Sequence, residues 1–585
     1  MRNFPAQYTL NDEDVLYFSH IPKTAGMTFR TIVEDQFDDR EICPATLNAQ
    51  VAKIPKDQLK DYRLFRGHLG FINIPELLPG KEVVNVTILR EPIARVISHY
   101  EYIRRMPGDP HYRAVKDMTL AEFAQKLTAG KVGKNIQTYH VAKAMRFKLD
   151  DLTPEETLAL AKESLDNFAF VGLVERFQDS LFLLSYILGW KPILNSRKEN
   201  AAKKKKSFDE IPAETLEIIR ENSLLDLELY HYAQEIFETR FNEMVQQLIS
   251  QFGTAADQAE TISSDRLKEL LELHYEQRYR DLDRTPSSTL LYDFGQALRG
   301  MGWQRRECPP SGPPAYRWTG PGTVSTLDLP QIAPPNGNCL LEFRVIATQA
   351  TAPDILDSLS VLVNQNPVRL NTLHSDRGVK LLQAVVAPEM LKSERPFTEV
   401  KFEVDRVTSL NAVNPLDPDT RQVGVALNYV QLFPQETERQ HSAAAQLFED
   451  EAWKNTIDFL SQHLQPQEVV IAPLAFRVMV NNSVLDYDAF LEGKQAQWLV
   501  LHKGMAAQIS TILMKLLGRG LSPVFANEVF VLYSNRQGIA TANYASKHVR
   551  PVYIDRVKKN VEHKLKTLYR QYAGKKQLIR SSPKG

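Results

Sequence analysis

Short apolar runs alternate with stretches of helical period from Val15 to about Phe252. The run Val15-Leu16-Tyr17-Phe18 precedes a helix-like stretch from Thr28, and Val83 to Leu89 is a second apolar run followed by more helical segments. Strands that alternate with helices build parallel sheets, so residues 1–252 are predicted to form an α/β domain. Glu156 to Leu165 and Leu224 to Phe237 have helical period and should pack over that sheet. The charged stretch Asp257 to Asp283 has few large apolar residues on one face, and residues 253–305 are expected to be a helical connector.

Period-two alternation takes over from Pro309 to Phe433, with proline and glycine between runs such as Leu340 to Val345, Leu359 to Val363, Val400 to Val404 and Val423 to Leu427. This predicts an antiparallel β-sandwich over residues 306–436. A small α/β domain is predicted over residues 445–546, with strands at Val469-Val470-Ile471, Trp498 to Leu501 and Val529 to Tyr533 and a helix from Met505 to Leu517. Tyr316 and Trp318 could stack on a sugar ring, but core or edge positions suit two aromatics of a sandwich better. His502-Lys503-Gly504, Asn527 and Glu528 follow strand-like runs of the last domain and are read as structural.

A chain of 585 residues with 43% apolar and 24% charged content is too long for one core. Lys and Arg total 71 and so do Asp and Glu, so no whole-molecule field exists to hold an anion non-specifically, and specific nucleic-acid binding is not expected. The balance conceals an asymmetry: the last 39 residues, 547–585, carry 12 Lys or Arg against Asp555 and Glu562. Such a basic helical tail is either a solvated face or a contact for an anionic surface or polymer. Cys43, Cys308 and Cys339 lie far apart with no CxxC pair, which suits a reduced compartment. No signal peptide and no run of about 18 apolar residues is seen, so the expected location is cytoplasmic, with peripheral membrane association open.

Candidate chemistry concentrates near the N-terminus. In Phe18-Ser19-His20-Ile21-Pro22-Lys23-Thr24-Ala25-Gly26-Met27-Thr28-Phe29 an apolar strand enters a loop and a helix follows, the arrangement that aims unpaired N–H groups and a helix dipole at a phosphate or sulfate. Lys23 adds a full charge, Thr24 and Thr28 offer hydroxyls, and Gly26 permits close approach. The Walker pattern GxxxxGK[ST] is absent, and a plain βα turn is the alternative. A second cluster, Arg90-Glu91-Pro92 with Arg95 and Ser98, begins at the carboxyl end of the Val83–Leu89 run, where ligands of open α/β sheets collect. There Arg90 either clamps a second phosphate or pairs with a nearby carboxylate.

The segments IPKTAGMTF and LREPIARVISHY together resemble the phosphosulfate-binding loop and the 3′-phosphate motif of sulfotransferases that use 3′-phosphoadenosine-5′-phosphosulfate (PAPS), in the branch of the heparan sulfate uronyl 2-O-sulfotransferases. The resemblance covers roughly residues 14–245 and extends to Arg66 to Phe71, Asn135 to Thr138 and Phe170 to Phe177. It implies a P-loop-like sulfotransferase domain at the head of a multidomain chain. PAPS would be the co-substrate, with no metal, and a saccharide or polysaccharide hydroxyl the acceptor. Lys23 would assist the leaving group and His68 would act as base, its ordinary pKa near 6.5 suiting that task. Residues Lys23, Thr24, Ala25, Gly26, Met27 and Thr28 would cradle the phosphosulfate, and Arg90 with Ser98 would hold the 3′-phosphate.

Arg197 with Lys203 and Lys204, in the run Asn195 to Lys206, matches the position of a basic loop that closes on that phosphate in the family, although four consecutive lysines also suit a solvated loop. Met27 stands where family loops often carry Thr or Ser, which removes one hydroxyl. The animal enzymes are membrane-anchored, so a chain without an anchor looks like a bacterial cytoplasmic relative. His20 is read as a packing residue, and Asn135, Gln137 and Glu175 receive no role. Two other readings remain at this point: a nucleotide-dependent kinase on a similar strand–loop–helix, and a non-catalytic glycan- or surface-binding protein with a degenerate fold.

Overall fold

The computed structural model describes residues 4–70, 72–126, 134–193, 211–282, 285–308, 314–333, 337–376, 378–505 and 509–554. Four parallel strands, β1 (Asp14–Ser19), β2 (Leu64–Gly67), β3 (Glu82–Leu89) and β4 (Phe170–Leu173), form one sheet in the order β2-β1-β3-β4. Every residue of β1, β2 and β4 is buried, as expected when helices cover both faces of a parallel sheet. The helices that frame the site are α1 (Gly26–Glu34), α2 (Pro92–Arg105) and α3 (Ile136–Ala142). Behind them, α4 (Phe177–Leu188) and α5 (Leu224–Phe252) share one apolar core with the sheet through Phe18, Phe29, Phe170, Leu181 and Phe237.

The stretch 253–305, expected to be a connector, is divided between its neighbours. Helix α6 (Ser264–Arg280) buries Leu267, Leu270 and Leu271 in the N-terminal core, and Leu290–Asp293 is a strand paired with Ala426–Pro434. Three leucines at helical spacing suffice to seat a helix whose remaining positions are charged.

Two antiparallel sheets follow, one of four strands and one of six, facing each other across a core in which the Phe343 and Phe402 rings lie 5.4 Å apart. The C-terminal region through Ile554 holds a mixed five-stranded sheet from Val469–Ile471, Ser483–Leu485, Trp498–His502, Ser522–Ala526 and Phe530–Ser534. The chain therefore combines a parallel-sheet domain with a C-terminal part rich in antiparallel sheet. Tyr316 donates to Glu307 and Trp318 is buried against Val423 and Ala426, so neither forms an open sugar-stacking platform. His502 accepts from the Gly504 N–H, Lys503 donates to the Asn527 carbonyl, and Asn527 bonds Ala452 and Thr456.

Buried polar contacts join the three parts. Arg317 of the sandwich donates at 2.7 Å to Asp35, the residue that ends α1, while the Leu298 N–H donates to the Asp35 carbonyl. Lys191 bridges to Asp328 at 2.7 Å and to Glu272 at 3.5 Å. Glu342, buried in the six-stranded sheet, accepts from Gln383, Tyr429, Gln431, Ser442 and the Ala443 N–H. Among the described residues no helix is long and apolar enough to cross a membrane.

Candidate active site

Three strand ends meet at one edge of the parallel sheet. Register places Ser19 beside Gly67 on β2 and Phe18 beside Val86 on β3, and β1 lies between those two strands. The chain steps from β1 to β2 on one side and then returns to β3 on the other. That switch point is where open α/β sheets bind ligands. The loop after β1 is consequently flanked by His68, one residue past β2, and by Arg90, one residue past β3.

The loop is built by its backbone more than by its hydroxyls. Lys23 and Ala25 both take left-handed conformations, φ 72° and 58°, and Ala25 caps α1 with no side-chain acceptor. Such a turn leaves first-turn N–H groups of α1 available to an anion. Thr24, expected to offer its hydroxyl to that anion, is instead fully buried and donates to the Ile21 carbonyl at 2.9 Å, which fixes the loop from within. Thr28 is also buried, and Met27 is 42% exposed. Gly26 is dictated by crowding, since a Cβ there would fall 1.9 Å from His20 Nε2.

Arg90 is fixed at both ends. The buried Gln137 donates through Nε2 to the Arg90 carbonyl at 2.9 Å and accepts the Arg90 N–H at 3.0 Å. The Arg90 guanidinium donates through Nη1 to the Lys23 carbonyl at 3.1 Å, which ties the two expected cation positions directly together. Its Nε is buried with no partner. Burial holds its pKa below the ordinary value, with Glu175 and Glu91 opposing.

Those two carboxylates are committed elsewhere by hydrogen bonds. Glu91 accepts from the Ile93 and Ala94 N–H groups and caps α2, with Pro92 in its first position. Glu175 accepts from the Glu91 N–H and the Tyr230 hydroxyl. Ser98 is half-buried on α2, four residues before Tyr102 and seven before Arg105, on one helix face.

Lys23 Nζ sits 4.0 Å from the centre of the Tyr102 ring. Burial, then Arg105 and Arg90, lower its pKa to about 8. Four imidazoles surround this cationic corner. His68 keeps an exposed edge at the mouth of the site, and partial desolvation of its ring, then Arg30 and Lys23, hold its pKa below the ordinary value. His20 is held well below it by burial and by His68, while His99 and His140 are each lowered to about 3, chiefly by burial. All four are therefore neutral at pH 7. Gly67, at φ 117°, makes the turn that delivers His68, whose N–H donates to the Thr46 carbonyl at 2.8 Å.

Residues left without a role form the floor. Asp226, fully buried, accepts from the Gln137 N–H and from the Thr138 N–H and hydroxyl, and Asn135 accepts from the Leu225 and Asp226 N–H groups. The sequence reading missed Tyr102 and Arg105 at the rim and Gln137 beneath Arg90. For the first two, the four- and seven-residue steps from Ser98 were an available signal. Arg197, Lys203 and Lys204 lie outside the described residues, as does the tail beyond Ile554. Among the described residues no His, Cys, Asp or Glu group could hold a metal ion. A cavity of about 560 Å³, lined in part by Phe4, Asp166, Tyr186 and Arg240, shares no residue with this site.

A parallel sheet with a cation-rich corner at its switch point stands where open α/β sheets bind ligands, and sequence comparison shows what this region resembles. The family model described as galactose-3-O-sulfotransferase matches residues 43–264, beginning after the loop that carries Lys23. Heparan-sulfate 6-O-sulfotransferase 2 of Gallus gallus is 23% identical over 286 residues, covering 41% of this chain and 70% of that protein. Heparan sulfate 2-O-sulfotransferase hst-2 of Caenorhabditis elegans is 23% identical over 264 residues, covering 39% and 80%.

A protein-tyrosine sulfotransferase of Arabidopsis thaliana is 33% identical over 91 residues, covering 15% of this chain and 17% of that protein. The N-terminal region resembles the sulfotransferase family that includes the heparan sulfate enzymes, and 6-O as well as 2-O members are among its relatives. A solved structure, the C-terminal CBM6 of a laminarinase from Zobellia galactanivorans, matches 25% of the chain and 98% of its own at 12% identity with a TM-score of 0.16.

Proposed function

We propose that the N-terminal domain transfers a sulfuryl group from PAPS to a saccharide hydroxyl. The observation that carries this reading is the junction of Lys23 and Arg90: two cationic side chains, tied through the Lys23 carbonyl, flank a loop of left-handed residues at a helix start. The buried, unpartnered Nε of Arg90 fits an anion that has yet to arrive. The phosphosulfate would lie against the N–H groups of residues 25–28, and the 3′-phosphate against Arg90 with Ser98.

The acceptor oxygen forms its bond to sulfur as the bond from sulfur to the phosphate oxygen breaks, and the electron pair leaves with that oxygen. Lys23, as an ammonium, meets the charge that gathers there. His68, neutral at pH 7, takes the hydroxyl proton and becomes an imidazolium. The saccharide acceptor is supported by the heparan sulfate sulfotransferases among the chain's relatives.

Calorimetric titration of the full chain with adenosine 3′,5′-bisphosphate tests the donor site. Arg90→Ala should weaken binding at least about 30-fold, the equivalent of roughly 2 kcal/mol for a charge-assisted hydrogen bond. Unchanged affinity would reject Arg90 as the clamp. Turnover of labelled PAPS on glycan fractions tests the transfer itself.

A further inference from the structure

His68 reaches the site from a turn, and none of its described contacts is a carboxylate that would orient its ring. What the ring does touch is another imidazole. His20 and His68 stack with centroids 4.5 Å apart and planes 23° from parallel. Beneath them Phe18 stacks on His20 at 5.1 Å and 13°, giving a three-ring column that rises from Phe18 on β1 through His20, one residue past the end of that strand. His20 is 6% exposed, its Nε2 lies where a Cβ of residue 26 would be, and its Nδ1 is buried with no hydrogen-bond partner. A buried histidine normally orients itself through its nitrogens. This one is held by its faces, between Phe18 and His68, and by the bare backbone of Gly26.

From this geometry we infer that His20 is a positioning residue: its ring face fixes the plane of the His68 imidazole at the mouth of the site and supports that ring when it carries a proton. The inference rests on the reading of His68 as the base. A proton taken from the acceptor hydroxyl leaves a positive ring stacked on a neutral aromatic face, a favourable cation–π arrangement, whereas a second protonated ring at 4.5 Å would repel it. The titratable groups that bear on the pair are Lys23 of the loop, Arg30 of α1 and the neutral His140 of α3, and none is an anion that could take over the task. The column also gives Gly26 a second reason beyond anion approach, because any side chain there would push His20 out of the stack.

Two substitutions of matched bulk separate the ring face from the ring nitrogens. His20→Phe keeps an aromatic face without nitrogen, and His20→Leu fills the space without a face. The first measurement is the rate at which diethyl pyrocarbonate acylates His68 in the full-length protein, followed by peptide mass spectrometry. It needs no turnover and stands whether or not the chain transfers sulfate. His20→Leu should change the His68 rate by about threefold or more, and His20→Phe should return it towards the parent value.

In turnover, His20→Leu should lower kcat by about tenfold or more with affinity for adenosine 3′,5′-bisphosphate within about threefold, and His20→Phe should rescue most of that loss. An unaltered His68 rate in His20→Leu overturns the positioning role, and equal loss in His20→Phe and His20→Leu overturns the role of the face. A chain that labels as expected yet transfers no sulfate would reject the proposed function and leave the stacking role standing.

Discussion

Two groups of buried charge in this molecule obey opposite rules. At the seams between domains every buried ion has opposite charge or donors around it: Asp35 meets Arg317, Lys191 meets Asp328 and Glu272, and Glu342 collects five donors. At the switch point, Lys23 rests on an aromatic ring and Arg90 on a carbonyl oxygen, with one guanidinium nitrogen left unpartnered. Burying charge without its counter-ion is costly, so it persists only where something else offsets it. Unpartnered atoms occur on both sides of the comparison, since Arg317 Nε and Nη2, Glu272 Oε1 and Asp328 Oδ1 are buried without a partner as Arg90 Nε is. What differs is the counter-ion, because among the described residues Arg317 and Lys191 are paired with carboxylates and neither Lys23 nor Arg90 is. The contrast sets charge paired within the fold apart from the charge that the proposed function assigns to an incoming anion.

Substitution should expose the difference. The largest effect is expected at the switch point: Lys23→Ala should lower kcat about 100- to 1000-fold while leaving the thermal midpoint nearly unchanged, since in the proposed transfer it removes the cation that meets transition-state charge. Arg317→Met should do the reverse. Removing one partner of a buried pair strands the Asp35 carboxylate and should destabilise the chain by about 3–5 kcal/mol, read by denaturant or thermal unfolding. Should Lys23→Ala destabilise as much as Arg317→Met, the distinction between the two groups would fail.

Much of this architecture was legible in the sequence because it rests on periodicity. Val83 to Leu89 became β3, and the loop around Lys23 could be placed after β1 from the apolar run alone. Side-chain direction was not legible. Thr24 looks like a hydroxyl donor to a ligand, yet the tight turn directs it inward to Ile21. The stretch 253–305 looked like a connector because charge hides the stripe of Leu267, Leu270 and Leu271, and a helix with a narrow apolar stripe declares its partner only once the partner surface exists. Gln137 is far in sequence from Arg90, and Tyr102 from Lys23, and only the packing of α3 and α2 against the sheet brings each pair together.

The pH dependence of kcat/KM sharpens the comparison next, because it reports the free enzyme. In the proposed transfer His68 acts as a neutral base and Lys23 as an ammonium; the His68 pKa lies below the ordinary 6.5, so the acidic limb should fall below pH 6.5. The Lys23 pKa is lowered to about 8, so activity should decline as pH rises through about 8, well under the ordinary lysine value. Both groups are native-state anomalies of the same sign, each binding its proton less tightly than in the unfolded chain. They therefore cost stability in full at pH values where both states are protonated, and that cost is relieved as pH rises from the folded-state pKa to the unfolded one. For Lys23 that window runs from about pH 8 to 10.5, and the stability term it contributes should improve across it. An alkaline limb that stayed above pH 10 would show Lys23 to be a solvated lysine.

The smallest effect is expected at Tyr102, and it bears on how an uncompensated cation is stored. Without a carboxylate partner the Lys23 ammonium needs some favourable contact in the resting protein, and the ring face 4.0 Å away supplies it. A partly exposed contact of this kind is worth about 0.5–2 kcal/mol. Tyr102→Leu should therefore lower the Lys23 pKa further and quicken its acylation by an amine reagent at pH 7 by a few-fold, while Tyr102→Phe, which keeps the face, should not. Since an arriving anion must draw Lys23 off that ring, Tyr102→Leu should at the same time leave affinity for adenosine 3′,5′-bisphosphate within about threefold of the parent. Identical Lys23 reactivity in the Leu and Phe variants would mean that the ring is merely beside the ammonium, and that burial with Arg90 and Arg105 alone sets its state.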